Sequence, residues 1–126
     1  IVMWLMTCFG CFSVVRKPGD VEEGMLTVCG RVRADLEALR KTYLENAGPV
    51  IDTERMDYRY RMRVLEKEFS EAMSRIAGEI DYSDFKSAVE TRQGWARHDI
   101  YEQVACVLRQ LYCCDQEAMQ VERTPV

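Results

Sequence analysis

A single histidine, His98, supplies all the imidazole this chain has, and neither a serine nor a cysteine stands beside it. No glycine-rich phosphate loop and no cage of spaced metal ligands accompanies it. Without a base beside a nucleophile, the sequence offers no constellation that could activate one or shuttle a proton, so the expectation is a non-enzyme that uses no cofactor and no metal. Blocks of one charge are lacking too. Seventeen Lys and Arg are interleaved with 21 Asp and Glu, for a net charge of −4, which argues against nucleic acid as a partner. No long alternation of apolar and polar residues stands out, and nothing repeats internally. The fold expected on that ground is all-α, with roughly five or six helices and no domain boundary.

Cysteine is present but poorly arranged for chemistry. Cys8 and Cys11 have the two-residue gap of zinc ribbons and redox motifs, yet a second spaced pair is lacking and Cys113 and Cys114 are adjacent. The cysteines, with Cys29 and Cys106, are expected to be small apolar core residues. The run from Gly78 to Phe85 echoes the second half of a calcium-binding EF-hand loop, but Met73, Arg75 and Ala77 stand where the first half needs oxygen ligands, so the echo is rejected.

Apolar runs are short. Ile1 to Val15 is interrupted only by Thr7, Gly10 and Ser13; it lacks the leading positive residues of a targeting signal and falls below the roughly 20 apolar residues that span a bilayer. It is expected as a buried helix or strand without a stable membrane anchor, a targeting or lipidation role being the other reading. A turn follows at Lys17 to Asp20.

The most informative stretch runs from Leu26 to Phe69. Leu26, Cys29, Val32, Leu36, Leu39 and Tyr43 recur at three- and four-residue steps, predicting an amphipathic helix that stops at Asn46-Ala47-Gly48-Pro49. A second helix, starting at Asp52 or Thr53, carries Met56, Tyr60, Val64, Leu65 and Phe69 on its apolar face. Met73, Ile76, Ile80, Phe85 and Val89 continue the pattern with a break near Gly78. Thr91 to His98 reads as a connection, Asp99 as a cap, and Ile100 to Tyr112 as a strongly apolar helix that fades by Met119. The tail from about residue 120 is expected to be disordered, although Thr124-Pro125-Val126 also fits the carboxyl-terminal pattern accepted by PDZ domains.

Four short strings in this order resemble the Bcl-2 family of apoptosis regulators. They are Leu26-Thr-Val-Cys-Gly30, Val50-Ile-Asp52-Thr-Glu-Arg55, the VLEKEFSEAM run from Val64 to Met73, and His98-Asp-Ile-Tyr101-Glu-Gln-Val104. Arg31 follows Gly30 where the family carries aspartate, and Glu79 follows Gly78 where it carries arginine. The resemblance is to a trimmed, divergent member such as the soluble versions encoded by large DNA viruses. It implies a helical bundle with a central helical hairpin and a surface groove that sequesters the amphipathic death-motif helix of a pro-apoptotic partner. Leu36, Leu39, Tyr43, Leu44, Met56, Tyr60, Val64, Leu65, Phe69, Met73, Arg75, Ile76 and Glu79 would line the groove. Glu79 would narrow the range of partners, or Arg75 would replace the missing positive charge. A cytoplasmic location, with mitochondrial association through partners, follows from the same resemblance. The alternative is a self-associating helical scaffold, a homodimer without a peptide groove.

Overall fold

The computed structural model describes residues 2–54 and 56–114, and it overturns the all-α expectation. The chain divides into two compact units, Ile1–Ser83 and Asp84–Val126. The first unit is built on a five-stranded antiparallel sheet, with strands β1 (Met3–Thr7), β2 (Gly10–Val15), β3 (Met25–Gly30), β4 (Ile51–Asp52) and β5 (Tyr60–Leu65) in the spatial order β1-β2-β3-β5-β4. Helices α1 (Asp20–Glu23), α2 (Arg33–Tyr43) and α3 (Glu66–Gly78) complete it.

The segment at the start of the chain, expected to be buried, is a β-hairpin whose second strand is buried and whose first is largely exposed. Its turn is closed by Thr7, whose hydroxyl donates to the Gly10 carbonyl at 2.8 Å and accepts from the Gly10 amide at 3.0 Å. This local bonding lets a hydroxyl residue set a tight turn. Cys8 lies in that turn and Cys11 on β2, and the two are not joined by a disulfide. The expected Lys17–Asp20 turn is present and leads into α1, a single turn bracketed by Gly19 at φ 92° and Gly24 at φ 64°, backbone conformations that only glycine adopts without strain.

The predicted helix from Leu26 is a strand followed by a helix. In β3, Leu26 and Val28 face the core while Thr27 and Cys29 occupy the other face, and Thr27, Val28 and Cys29 are all buried. A strand covered on both faces reads as an unbroken apolar run, which can be mistaken for a helical stripe. Leu36 and Leu39 do lie on one helical face, but α2 ends at Tyr43, before the predicted stop. The predicted helix beginning at Asp52 is instead a short edge strand, a loop containing Met56, and β5, where Tyr60, Met62 and Val64 alternate with Arg61 and Arg63. Of that stretch and its continuation, Phe69, Met73 and Ile76 are helical on α3, which ends at the expected Gly78, and Phe85 and Val89 are helical on the helix Phe85–Gln93, while Ile80 lies between the two.

Phe12, Val14, Val28, Met62 and Val64 from one face of the sheet meet Leu36, Leu39, Leu44, Phe69 and Ala72 in one core. Each fully buried Leu or Phe there contributes about 2 kcal/mol through removal from water. All the clustered core residues belong to the first unit.

The second unit is a helical hairpin, α4 (Phe85–Gln93) and α5 (Trp95–Leu108). Asp84 caps α4 by accepting from the Lys86 amide at 3.1 Å and the Ser87 hydroxyl at 2.6 Å. Gly94, at φ 88°, makes the corner between the helices. The expected connection over Thr91–His98 is therefore helical on both sides of one glycine, and Asp99 lies inside α5 instead of capping it. Phe85 stacks on Tyr101 with ring centres 5.9 Å apart, and Val89 and Tyr101 are buried. The readings made for Met119, for the tail and for Thr124-Pro125-Val126 lie outside the described residues. Among the described residues no helix is long and apolar enough to cross a membrane.

Candidate functional site

The apoptotic groove would need helices where β3, β4 and β5 run, and the structure supplies none there. Leu36 and Leu39 on α2, Leu44 just after it, Val64 on β5 and Phe69 on α3 are core residues; Tyr43, Tyr60, Met73 and Ile76 are partly buried against that core. Met56 and Leu65 are exposed and lie on a loop and at the end of β5. Tyr43, Arg75 and Glu79 do come together: the Arg75 guanidinium lies 5.0 Å from the Tyr43 ring centre, and the Tyr43 hydroxyl donates to the Glu79 carboxylate. A recess of about 260 Å³ beside them is walled by Glu45, Glu68 and Glu71. Acidic walls do not make an apolar trough for a helix.

A different site emerges on the sheet face opposite the core. Antiparallel register aligns Trp4 with Ser13, Ser13 with Cys29, Cys29 with Arg61, and Arg61 with Ile51. One row of side chains thus crosses all five strands, spanning about 20 Å at the usual strand spacing. Val15, Thr27 and Arg63 form the next row. Above these rows lies a cavity of about 580 Å³, lined by Val2, Trp4, Ser13, Val15, Lys17, Cys29, Tyr58 and Arg61. That volume lies within the range of small-molecule sites.

The walls are apolar and aromatic, and the floor is polar. Trp4 leaves 76% of its surface open to solvent, whereas Ser13 and Cys29 are buried. Tyr58 is held from behind by the Arg31 guanidinium, 4.2 Å from its ring centre, and Arg31 is itself anchored to Asp57 at 2.9 Å.

The distribution of charge separates the cations of this face into two groups. Arg31 pairs with Asp57, Arg59 with Asp52, and Arg63 with Asp20 and Glu23. Lys17 and Arg61 pair with no carboxylate among the described residues, and the buried Arg61 Nε donates to no protein acceptor. Both charges act on the Cys29 thiol: burial pushes its pKa up, and Arg61 and Lys17 offset only part of the rise. The thiol is therefore protonated at neutral pH and contributes polarity to the floor instead of a nucleophilic thiolate.

Lys17 is positioned by a buried carboxylate. Asp20, 1% exposed, accepts from the Lys17 amide at 2.7 Å, the Thr27 hydroxyl at 2.9 Å and the Arg63 guanidinium at 2.8 Å. Burial alone would push the Asp20 carboxyl up; these hydrogen bonds and the Arg63 charge outweigh it and hold the carboxyl below its ordinary value. The loop that carries Lys17 is thereby pinned to the sheet.

Sequence reasoning set Lys17 in a turn and passed over Arg61. The alternation from Tyr60 to Val64 was the signal that could have placed Arg61 and Arg63 on a shared face opposite the core. Comparison with protein-family models, curated proteins and solved structures finds no match to this chain.

Proposed function

We propose that this chain is a binding module whose first unit takes a small anionic molecule with a planar apolar body on the open face of its sheet. The observation that carries the reading is the pair Lys17 and Arg61, which have no carboxylate partner among the described residues, whereas Arg31, Arg59 and Arg63 each have one. A partly buried guanidinium bonded to no protein acceptor has much to gain from an oxyanion, because charge-assisted hydrogen bonds in a partly dry site are stronger than in water. Trp4 and Tyr58 supply flat surfaces for the rest of the ligand. The lining side chains bind and orient; with Cys29 held as the neutral thiol, no nucleophile is prepared among them.

Titration with p-nitrophenyl phosphate, read by quenching of Trp4 fluorescence against a Trp4→Phe control, tests the reading. Saturable binding that weakens about tenfold in Arg61→Gln is expected. Absence of binding, or equal binding by Arg61→Gln, would sink it.

A second reading, self-association, is favoured by α5. Ile100, Val107 and Leu108 lie on this helix more than half exposed, and Leu111 beyond it is 63% exposed. Their spacing places them along one helical stripe that α4 leaves exposed among the described residues. Sedimentation equilibrium of the intact chain distinguishes this reading.

A further inference from the structure

The cavity beside Trp4 does not end at Lys17 and Arg61. A second cavity of about 360 Å³ shares these two residues and is otherwise lined by residues that include Pro18, Gly19, Ile51 and Met62 as well as Glu23, Thr53 and Arg63. The two cations therefore line both recesses, one walled by the Trp4 and Tyr58 rings, the other mostly aliphatic with the Glu23 carboxylate and the Thr53 hydroxyl among its lining groups. A ligand with its charge at one end, such as an aryl carboxylate, would satisfy the cations and fill only one side.

We infer that the ligand carries its anion internally, as a phosphodiester joining a planar apolar group to a hydroxylated one. This inference rests on the anion-binding reading above and narrows it to a ligand class. A diester has a single negative charge and two non-bridging oxygens, which match one guanidinium and one ammonium approaching from the sheet and from the loop. Its two substituents leave the phosphorus in different directions, one for each recess. The planar group lies between Trp4 and Tyr58. The hydroxylated group donates to the exposed carboxylate of Glu23, which also holds Arg63. A polymer of phosphodiesters is disfavoured because the flanking arginines, Arg31, Arg59 and Arg63, are already neutralised and the chain carries a net charge of −4.

The test compares the p-nitrophenyl ester of thymidylate, a diester with a planar and a hydroxylated arm, with p-nitrophenyl phosphate, which has the planar arm alone. The diester is expected to bind about tenfold more tightly and to shift the amide resonances of Gly19 and Ile51 as well as those of Trp4 and Val15. The monoester should shift only the latter pair. Ile51→Trp, at an exposed edge-strand position that lines the second cavity and not the first, should bring the ratio of diester to monoester affinity down to about one. Equal affinity of the two esters, with no shift at Gly19 and Ile51, overturns the internal anion while leaving the anion site standing. Failure of both esters to bind overturns the two readings together. Binding of an oligothymidylate more tightly than the diester overturns the small-molecule class in favour of a nucleic-acid strand.

Discussion

Asp20 concentrates more of the first unit's polar bonding than any carboxylate around it. It is buried, yet it holds an amide, a hydroxyl and a guanidinium drawn from the loop after β2, from β3 and from β5. Its folded-state pKa is depressed, so its contribution to stability is fully present above the ordinary aspartate value of 3.8 and is lost as pH falls through the lower folded value. Asp20→Asn keeps the shape but removes the charge. Because Arg63 is partly exposed and retains Glu23, the expected loss is about 2 kcal/mol at neutral pH. Urea midpoints measured from about pH 7 to about pH 2 should show the loss shrinking at the acid end, where the native carboxylate is protonated as well. A difference that stays constant with pH would remove the charge as its cause.

At the scale of elements, the β1–β2 hairpin and α2 are fitted together at Gly10. A Cβ built on Gly10 would stand 2.7 Å from Phe12 Cζ and 2.9 Å from Asp35 Cβ. Asp35 is meanwhile bound to the hairpin, its carboxylate accepting from the Cys11 amide at 3.1 Å. Neither neighbour has room to move, since Phe12 is 1% and Asp35 5% exposed. Gly10→Ala should cost about 1–3 kcal/mol, as overpacking of a tight core does, and thermal unfolding of the single variant measures it.

The elements also show what could be read from residues alone. The helical faces of α2 and α3 were legible because Leu36 with Leu39, and Phe69 with Met73 and Ile76, repeat at three and four on helices with one wet side. The turn at Lys17 and the helix end at Gly78 were legible from proline and glycine chemistry. The strands were not, for different reasons in each case. In β3, residues of both faces are buried, so Val28 and Cys29 could be counted into any period. In β5 the alternation of Arg61 and Arg63 was present, but Tyr60 and Val64 are also four apart and fitted the wrong template. The resemblance to the Bcl-2 family inherited that error: two of its four strings coincide with β3 and with the junction of β5 and α3. The binding site was illegible because it is made by register: Trp4, Ser13, Cys29, Arg61 and Ile51 are neighbours only across hydrogen-bonded strands.

At the scale of the whole molecule, stabilising burial is unevenly divided. The first unit holds the entire clustered core, whereas in the second only Val89 and Tyr101 are buried among the described residues. A helical hairpin with so few buried side chains does not offset its conformational entropy unaided. Residues 1–83 alone should therefore unfold cooperatively and sediment as a monomer, while the intact chain should show a concentration-dependent dimer arising from α5. A monomeric intact chain at all concentrations would exclude self-association through that helix. A non-cooperative 1–83 fragment would show that the sheet depends on the remainder of the chain.

The strand order has one more consequence. Of the sheet's two borders, β4 offers only Ile51 and Asp52, too brief to template anything, whereas β1 offers five residues with Met3 and Trp4 open to solvent. Lateral growth of the sheet, by a foreign segment or by misassembly on heating, thus has a single serviceable margin. That margin adjoins the Trp4 wall of the recess on the open face, so a segment docked along β1 would compete with, or reshape, the binding proposed there.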